Sequence, residues 1–288
     1  MDRHLVEARS LKPVPSSLRR PWGGDKELEA GSRAHYEDAA YYSKTYRARA
    51  EDVAFYVGLA KKRGGAVLEY GAGNGRIALP TARAGSRVTA LDLSRPMLDD
   101  FRARLGAESE AVRRRVRLVL GDMRYARLRD RFELVTCPFN AFLHLYTRSD
   151  VERFLGRVRQ HLAPRGLFAF DVSVPNPHEL VRDPDRAYHC PRFRYPSTGE
   201  MVRYTERFDY DQARQILFVT MEFLPEGRAK ASWVAPLAHR QFFPQELEAL
   251  LHYNGFAIED AWGDYKGSKL DRYSETMVLT ARLRRAAS

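Results

Sequence analysis

Between Ala66 and Val174 five short apolar runs recur: "AVLEY", "RVTALDL", "VRLVLGD", "FELVTCP" and "GLFAFDVSV". Helical stretches stand between most of them. Runs this short and this continuously apolar suit strands buried on both faces, and strands alternating with helices predict a parallel sheet covered by helices on both sides. The helices carry their own punctuation. Gly75–Ala84 follows the first run. "SRPMLDDFRARLGAE" opens with Ser94 as a cap and Pro96 in its first turn. In "SDVERFLGRVRQHL", Ser149 and Glu152 stand at capping-box spacing.

The flanking segments read differently. Residues 1–33 are rich in Pro, Gly and charge, with little periodicity, and are expected to form a flexible arm. From Ala34 the apolar and aromatic residues recur at helical spacing, predicting two helices, the second running from near Ala50 to the Gly64-Gly65 break. After Pro175 successive strands are expected, with turns at Thr198-Gly199 and Asp209–Arg214. A helix opening at Pro244 ends at Asn254-Gly255, and two strands close the chain, the last at about Ser274–Leu283. The expected organisation is therefore an arm (1–33), a core with N-terminal cap helices (34–175), a β-rich insert (176–240) and a C-terminal helix with two strands (241–288).

Composition excludes several classes. No window approaches the roughly 18–20 apolar residues of a membrane helix, so no membrane partner is expected. The N-terminus lacks the apolar core of a secretory signal. Two cysteines, Cys137 and Cys190, form neither a disulfide framework nor a CxxC pair, and no zinc-ligand spacing occurs, so a cytoplasmic setting without a metal is expected. The net charge of +11 raises the question of a polyanion partner. Its arginines are spread along the chain rather than clustered, which weighs against a nucleic-acid footprint.

Gly71, Gly73 and Gly75 crowd the turn after the first strand, where a flexible backbone can approach a ligand at a helix N-terminus. The spacing departs from the dinucleotide fingerprint, G-x-G-x-x-G, and "GRI" rules out a phosphate-binding Gly-Lys-Ser/Thr ending. Glu69, just ahead of the loop, would repel a pyrophosphate and attract an ammonium. Asp92 closes the second strand, where an acidic residue accepts ribose hydroxyls. Asp122 follows the third and can accept from an adenine amino group. The implied ligand has adenosine, a cationic amino-acid tail and no pyrophosphate. S-adenosyl-L-methionine (SAM) fits.

With "VLEYGAGNGR", "VTALDLSRPML", "LVLGDMR", "FELVTCPFNAFLHL" and "HLAPRGLFAFDV", the chain resembles the class I SAM-dependent methyltransferases over roughly Tyr36 to Arg284, and in its tail the small-molecule branch that includes amino-sugar and natural-product N-methyltransferases. The resemblance implies a Rossmann-like α/β fold: a seven-stranded, mostly parallel sheet with the last strand antiparallel, helices on both faces and a small antiparallel β insert. It implies that Glu69 and the three glycines surround the methionine part of the cofactor and that Asp92 binds the ribose. Leu93 and Met97 would pack on the adenine, and Asp122 and Met123 would contact its edge. Phe139 and Asn140 would face the sulfonium. Tyr42 and Tyr46 match the tyrosines of a capping helix, and core packing is the alternative for both.

Methyl transfer mainly requires alignment of the nucleophile with the methyl carbon. An amine needs little beyond deprotonation, whereas a hydroxyl needs a base or a metal. His144, five residues after Phe139, is the candidate acid/base, with a solvent-facing or turn-capping histidine as the alternative. Cys137 closes an apolar strand and reads as a buried thiol rather than a nucleophile. The expected function is SAM-dependent methylation of a small-molecule N or O acceptor. An RNA or protein methyltransferase and a non-catalytic SAM-binding protein stand as alternatives.

Overall fold

The computed structural model describes residues 5–7, 24–227 and 231–284. Along the chain come β1 (Leu5–Glu7), α1 (Lys26–Gly31), α2 (Ala39–Tyr46), α3 (Glu51–Arg63), β2 (Ala66–Tyr70), α4 (Ala78–Arg83), β3 (Arg87–Asp92), α5 (Arg95–Gly106), α6 (Glu110–Arg113), β4 (Val116–Leu120) and β5 (Phe132–Cys137). Then follow α7 (Arg148–His161), β6 (Leu162–Ser173), α8 (Pro177–Leu180), β7 (Tyr188–Arg194), β8 (Met201–Asp211), β9 (Ile216–Pro225), β10 (Trp233–Arg240), α9 (Pro244–Tyr253), β11 (Phe256–Trp262) and β12 (Thr276–Leu283). Two compact units result, one of residues 1–13, 49–174 and 242–288, the other of residues 14–48 and 175–241.

The first unit contains the expected seven-stranded sheet, in the order β4-β3-β2-β5-β6-β12-β11. Strands β4 to β6 pair in parallel, and β12 runs antiparallel to both of its neighbours. An eighth, edge strand, β1, pairs in parallel with β4; it falls in the segment expected to be an arm, most of which lies outside the described residues. The period of two along each strand divides the core in two. One face buries Leu68, Tyr70, Val135 and Phe168 against Phe154 and Val158 of α7 and Leu247 of α9. The other buries Val67, Ala90, Leu134 and Ala169 against Tyr56 of α3, Ala78 of α4 and Phe101 of α5.

Two helix starts differ from expectation. Helix α4 begins at Ala78 rather than Gly75, because Gly75 sits at φ +81° and breaks the helical path. The capping box of α7 is Thr147 with Asp150, two residues before the expected Ser149 and Glu152, since the Thr147 side chain reaches the Asp150 N–H and Asp150 reaches back. Ser94 caps α5 as expected.

The second unit is a four-stranded antiparallel sheet, β10-β9-β8-β7, with α1, α2 and α8. Of the two helices expected to open the core, α3 groups with the first unit and α2 with the insert, and α1 forms within the segment expected to be an arm. Its core is aromatic: Tyr41 stacks on Tyr195 with centroids 5.4 Å apart, and Phe223 on Trp233 at 5.2 Å. The β8–β9 turn forms where expected, with Asp211 accepting from the N–H groups of Ala213 and Arg214.

Candidate cofactor site

All three glycines of the loop after β2 adopt positive φ (+64°, +54° and +81°). Each is also crowded. A Cβ on Gly71 would lie 2.6 Å from the Ala141 methyl, one on Gly73 3.2 Å from Met97 Cε, and one on Gly75 2.5 Å from the Phe101 ring. Glycine is required there twice over, for conformation and for space.

Acidic groups converge on this loop. Glu69, the fourth residue of β2, is 2% exposed, and burial pushes its carboxyl up to about 8, with Arg76 opposing the shift. A carboxyl so held gains most from an added cation, such as the ammonium of an amino-acid tail. Asp92 accepts from the Gly73 N–H at 2.6 Å through Oδ2 and from the Ser94 N–H at 2.7 Å through Oδ1. The Leu93 N–H also bonds this carboxylate, which braces the loop and keeps acceptor capacity for a ribose hydroxyl. Burial raises its carboxyl above the ordinary range. Met97 is buried against Gly73, and Leu93 is exposed.

Asp122, after β4, is held by Arg124, whose Nε and Nη2 reach Oδ1 at 3.0 Å and Oδ2 at 2.6 Å. The same guanidinium donates through Nη1 to Asp150 Oδ1 at 2.7 Å. This buried Asp–Arg–Asp arrangement ties the end of β4 to the capping box of α7. Two carboxylates hold the guanidinium charged against the cost of burial. Met123 packs against the core beside it.

After β5 the chain turns through Phe139 (φ +54°) and Asn140 (φ +63°), two consecutive non-glycine residues in the left-handed region. Each costs on the order of 1–3 kcal/mol unless its surroundings dictate it. Asp171 Oδ1, on β6, accepts from the Phe139 N–H at 2.9 Å and the Tyr56 hydroxyl at 2.6 Å, and Tyr265 also bonds this carboxyl. Asn140 accepts from the Ser173 N–H at 2.7 Å and donates to Ser173 Oγ at 3.0 Å. Arg76 lies 4.5 Å and Arg49 5.3 Å from the Phe139 ring centroid. Arg76 is itself paired bidentately with buried Asp52, at 2.9 and 2.5 Å.

His144 ends the 3-10 turn Ala141–His144, and its Nδ1 lies 2.9 Å from the hydroxyl of buried Tyr146. Cys137 is fully buried, and burial pushes its thiol well up, as suits a core residue. Tyr42 and Tyr46 lie in the second unit, where their rings meet at 4.7 Å and the Tyr46 hydroxyl sits 3.0 Å from His35 Nε2.

The expected residues from Glu69 to His144 therefore lie in one unit, and those at the strand ends share the carboxyl edge of one sheet, where ligands of open α/β folds bind. Sequence reasoning passed over Asp52, Arg76, Arg124 and Asp150, and took Asp171 for a structural residue. Arg76 directly follows the third glycine and Arg124 lies two residues past Asp122. Asp171 is the one charge in an apolar run, which was its signal.

Known proteins resemble the chain over most of its length. A family model described as a methyltransferase domain matches residues 67–166. The cypemycin N-terminal methyltransferase of a Streptomyces species is 28% identical over 223 residues, 75% of this chain and 82% of that protein. The CcbJ methyltransferase from Streptomyces caelestis shares the fold at a TM-score of 0.69 and 23% identity, covering 82% of this chain and 97% of its own. So does SAM-bound CalS10, an amino pentose methyltransferase from Micromonospora echinaspora involved in calicheamicin biosynthesis, at a TM-score of 0.63 and 22% identity, with 84% and 96% covered. The chain is a SAM-dependent methyltransferase. Among the described residues no helix is long and apolar enough to cross a membrane.

Proposed function

We propose that the chain methylates an amine on a small natural product or short peptide, with Glu69, the glycine loop, Asp92 and Asp122 holding SAM and the Phe139–Asn140 turn meeting its methyl end. The carrying observation is the chemistry of the segment after β5. From Pro138 to Thr147 it offers His144 and Tyr146 as titratable side chains and no carboxylate. An amine attacks the methyl carbon with its own lone pair, so alignment and water exclusion suffice, and one histidine can take the proton it sheds. A hydroxyl acceptor would ask more of the site. The N-terminal amine in the name of the cypemycin relative and the amino sugar in that of CalS10 point the same way. Tyr146 orients the imidazole through Nδ1.

Arginines scattered along the chain pair with carboxylates, as in Arg102–Asp99, Arg104–Asp100, Arg114–Glu110 and Arg148–Glu152. The net charge of +11 is dispersed in the same way along the sequence, which supports a small acceptor over a nucleic acid. Both cysteines are free, which suits a cytoplasmic setting.

The test is SAM turnover against panels of amines, amino sugars, peptides, phenols and RNA. Turnover confined to amines is expected, with His144→Ala lowering kcat about a hundredfold. Turnover confined to phenols or RNA would refute the amine assignment.

A further inference from the structure

Among the described residues of the first unit, the turn after β5 is the place where ordinary side chains, not glycines, hold a left-handed backbone. Glycine would adopt these angles unaided. Phe139 and Asn140 need outside help, and it comes from a single strand. Asp171 and Ser173 lie two residues apart on β6, hence on the same face. Asp171 fastens the Phe139 N–H, and Ser173 fastens the Asn140 side chain at both its oxygen and its nitrogen. The Phe139 ring is fixed as well, against Arg76 of the glycine loop and Arg49.

We propose that Asp171 is a positioning residue for methyl transfer: from β6 it holds Phe139 and Asn140 in the left-handed conformation that presents this turn to the methyl-bearing sulfonium. The proposal rests on the assignment of that turn to the methyl end of the cofactor. A carboxyl serving only the core would need no more than the hydroxyls of Tyr56 and Tyr265. The third donor, the Phe139 N–H, joins it to the turn. That bond needs an acceptor oxygen at Oδ1 and does not need a charge. An asparagine at 171 therefore preserves the arrangement, and an alanine abolishes it.

SAM and S-adenosylhomocysteine differ only by a methyl group and its positive charge, so their affinity ratio reads the environment of the methyl end without any acceptor. Both affinities are to be measured by calorimetry on the full chain and its variants, with thermal melting as the check on folding. Asp171→Ala is expected to weaken SAM about tenfold and S-adenosylhomocysteine at most about twofold, while Asp171→Asn stays within about twofold of the parent for both. If Asp171→Ala does not fold, Asn140→Ala, which removes both bonds to Ser173, reads the same strap from its exposed end, with about a threefold loss for SAM alone. Equal weakening of both ligands, or no weakening, in a folded Asp171→Ala protein overturns the proposal, as does failure of Asp171→Asn to restore the ratio. Phe139→Leu separates the two assignments. If it leaves the ratio unchanged, the turn does not meet the sulfonium. If it shifts the ratio and Asp171→Ala does not, the positioning role alone is wrong.

Discussion

Two turns at the carboxyl edge of the same sheet solve one problem in opposite ways. After β2, three glycines take up positive φ at no steric cost, and the packing of Ala141, Met97 and Phe101 leaves no room for anything larger. After β5, Phe139 and Asn140 take up the same region at a cost, and β6 supplies the bonds that offset it. The first turn carries its conformation in its own residues. The second borrows its conformation from residues more than 30 positions downstream, an order of separation fixed by Asn140 and Ser173. The difference teaches that one left-handed turn can be encoded in its own residues, whereas another is set by tertiary bonds from a neighbouring strand.

Substitution at the glycine loop should produce the largest effect. Gly75→Ala adds both a disfavoured φ and a clash with the Phe101 ring, and should cost about 3 kcal/mol, read as a fall in thermal midpoint together with loss of SAM binding. A small shift would show that the loop is less tightly packed than the glycine contacts imply.

Next comes the pH dependence of Glu69. Its folded carboxyl, near 8, lies above its unfolded value, so its contribution to stability is fully present below the unfolded pKa and is lost as pH rises through the folded one. Glu69→Gln removes that dependence. The variant should gain on the parent by up to about 1.4 kcal/mol per pH unit between pH 5 and 8 in cofactor-free protein, measured by denaturant titration, while binding SAM more weakly. Parallel pH profiles would mean that Glu69 is ionised without the cofactor.

Asp92→Ala leaves the N–H groups of Gly73, Leu93 and Ser94 without this acceptor and removes the proposed ribose contact. A cost of about 2 kcal/mol and at least a tenfold loss of SAM affinity are expected by calorimetry. Unchanged affinity would confine Asp92 to bracing the loop.

The smallest effect belongs to the other turn. Asn140→Gly relieves the disfavoured φ while releasing the strap to Ser173, so the two terms oppose one another and stability should change by less than about 1 kcal/mol. A large loss would show that the strap outweighs the strain.

The same contrast accounts for what was legible in the sequence. The strand–helix alternation, the glycine loop, Glu69 and Asp92 could be read because each depends on neighbours within a few residues. The insert hairpins were legible from their turn residues, and the antiparallel β12 was implied by the family resemblance alone. The left-handed turn was not, because no glycine announces it and its partners lie on another strand. The Asp122–Arg124–Asp150 arrangement was half visible: Asp122 was read as a ligand contact, but the guanidinium that holds it is paired with a residue 26 positions along the chain. The grouping of the N-terminal helices with the insert depends on packing such as the close approach of Gly31 to Ala238, which no local pattern encodes.

The reversed β12 has a consequence for how such an enzyme can diversify. Because it runs against its neighbours, the connection from Trp262 to Thr276 emerges on the ligand-bearing edge instead of the opposite one. Within it Tyr265 reaches Asp171, while Tyr273 stands exposed. A single hairpin tip thereby touches both the carboxyl that braces the Phe139–Asn140 turn and open solvent. Because it lies between strands, its length and sequence can change while every strand and both core layers stay in place.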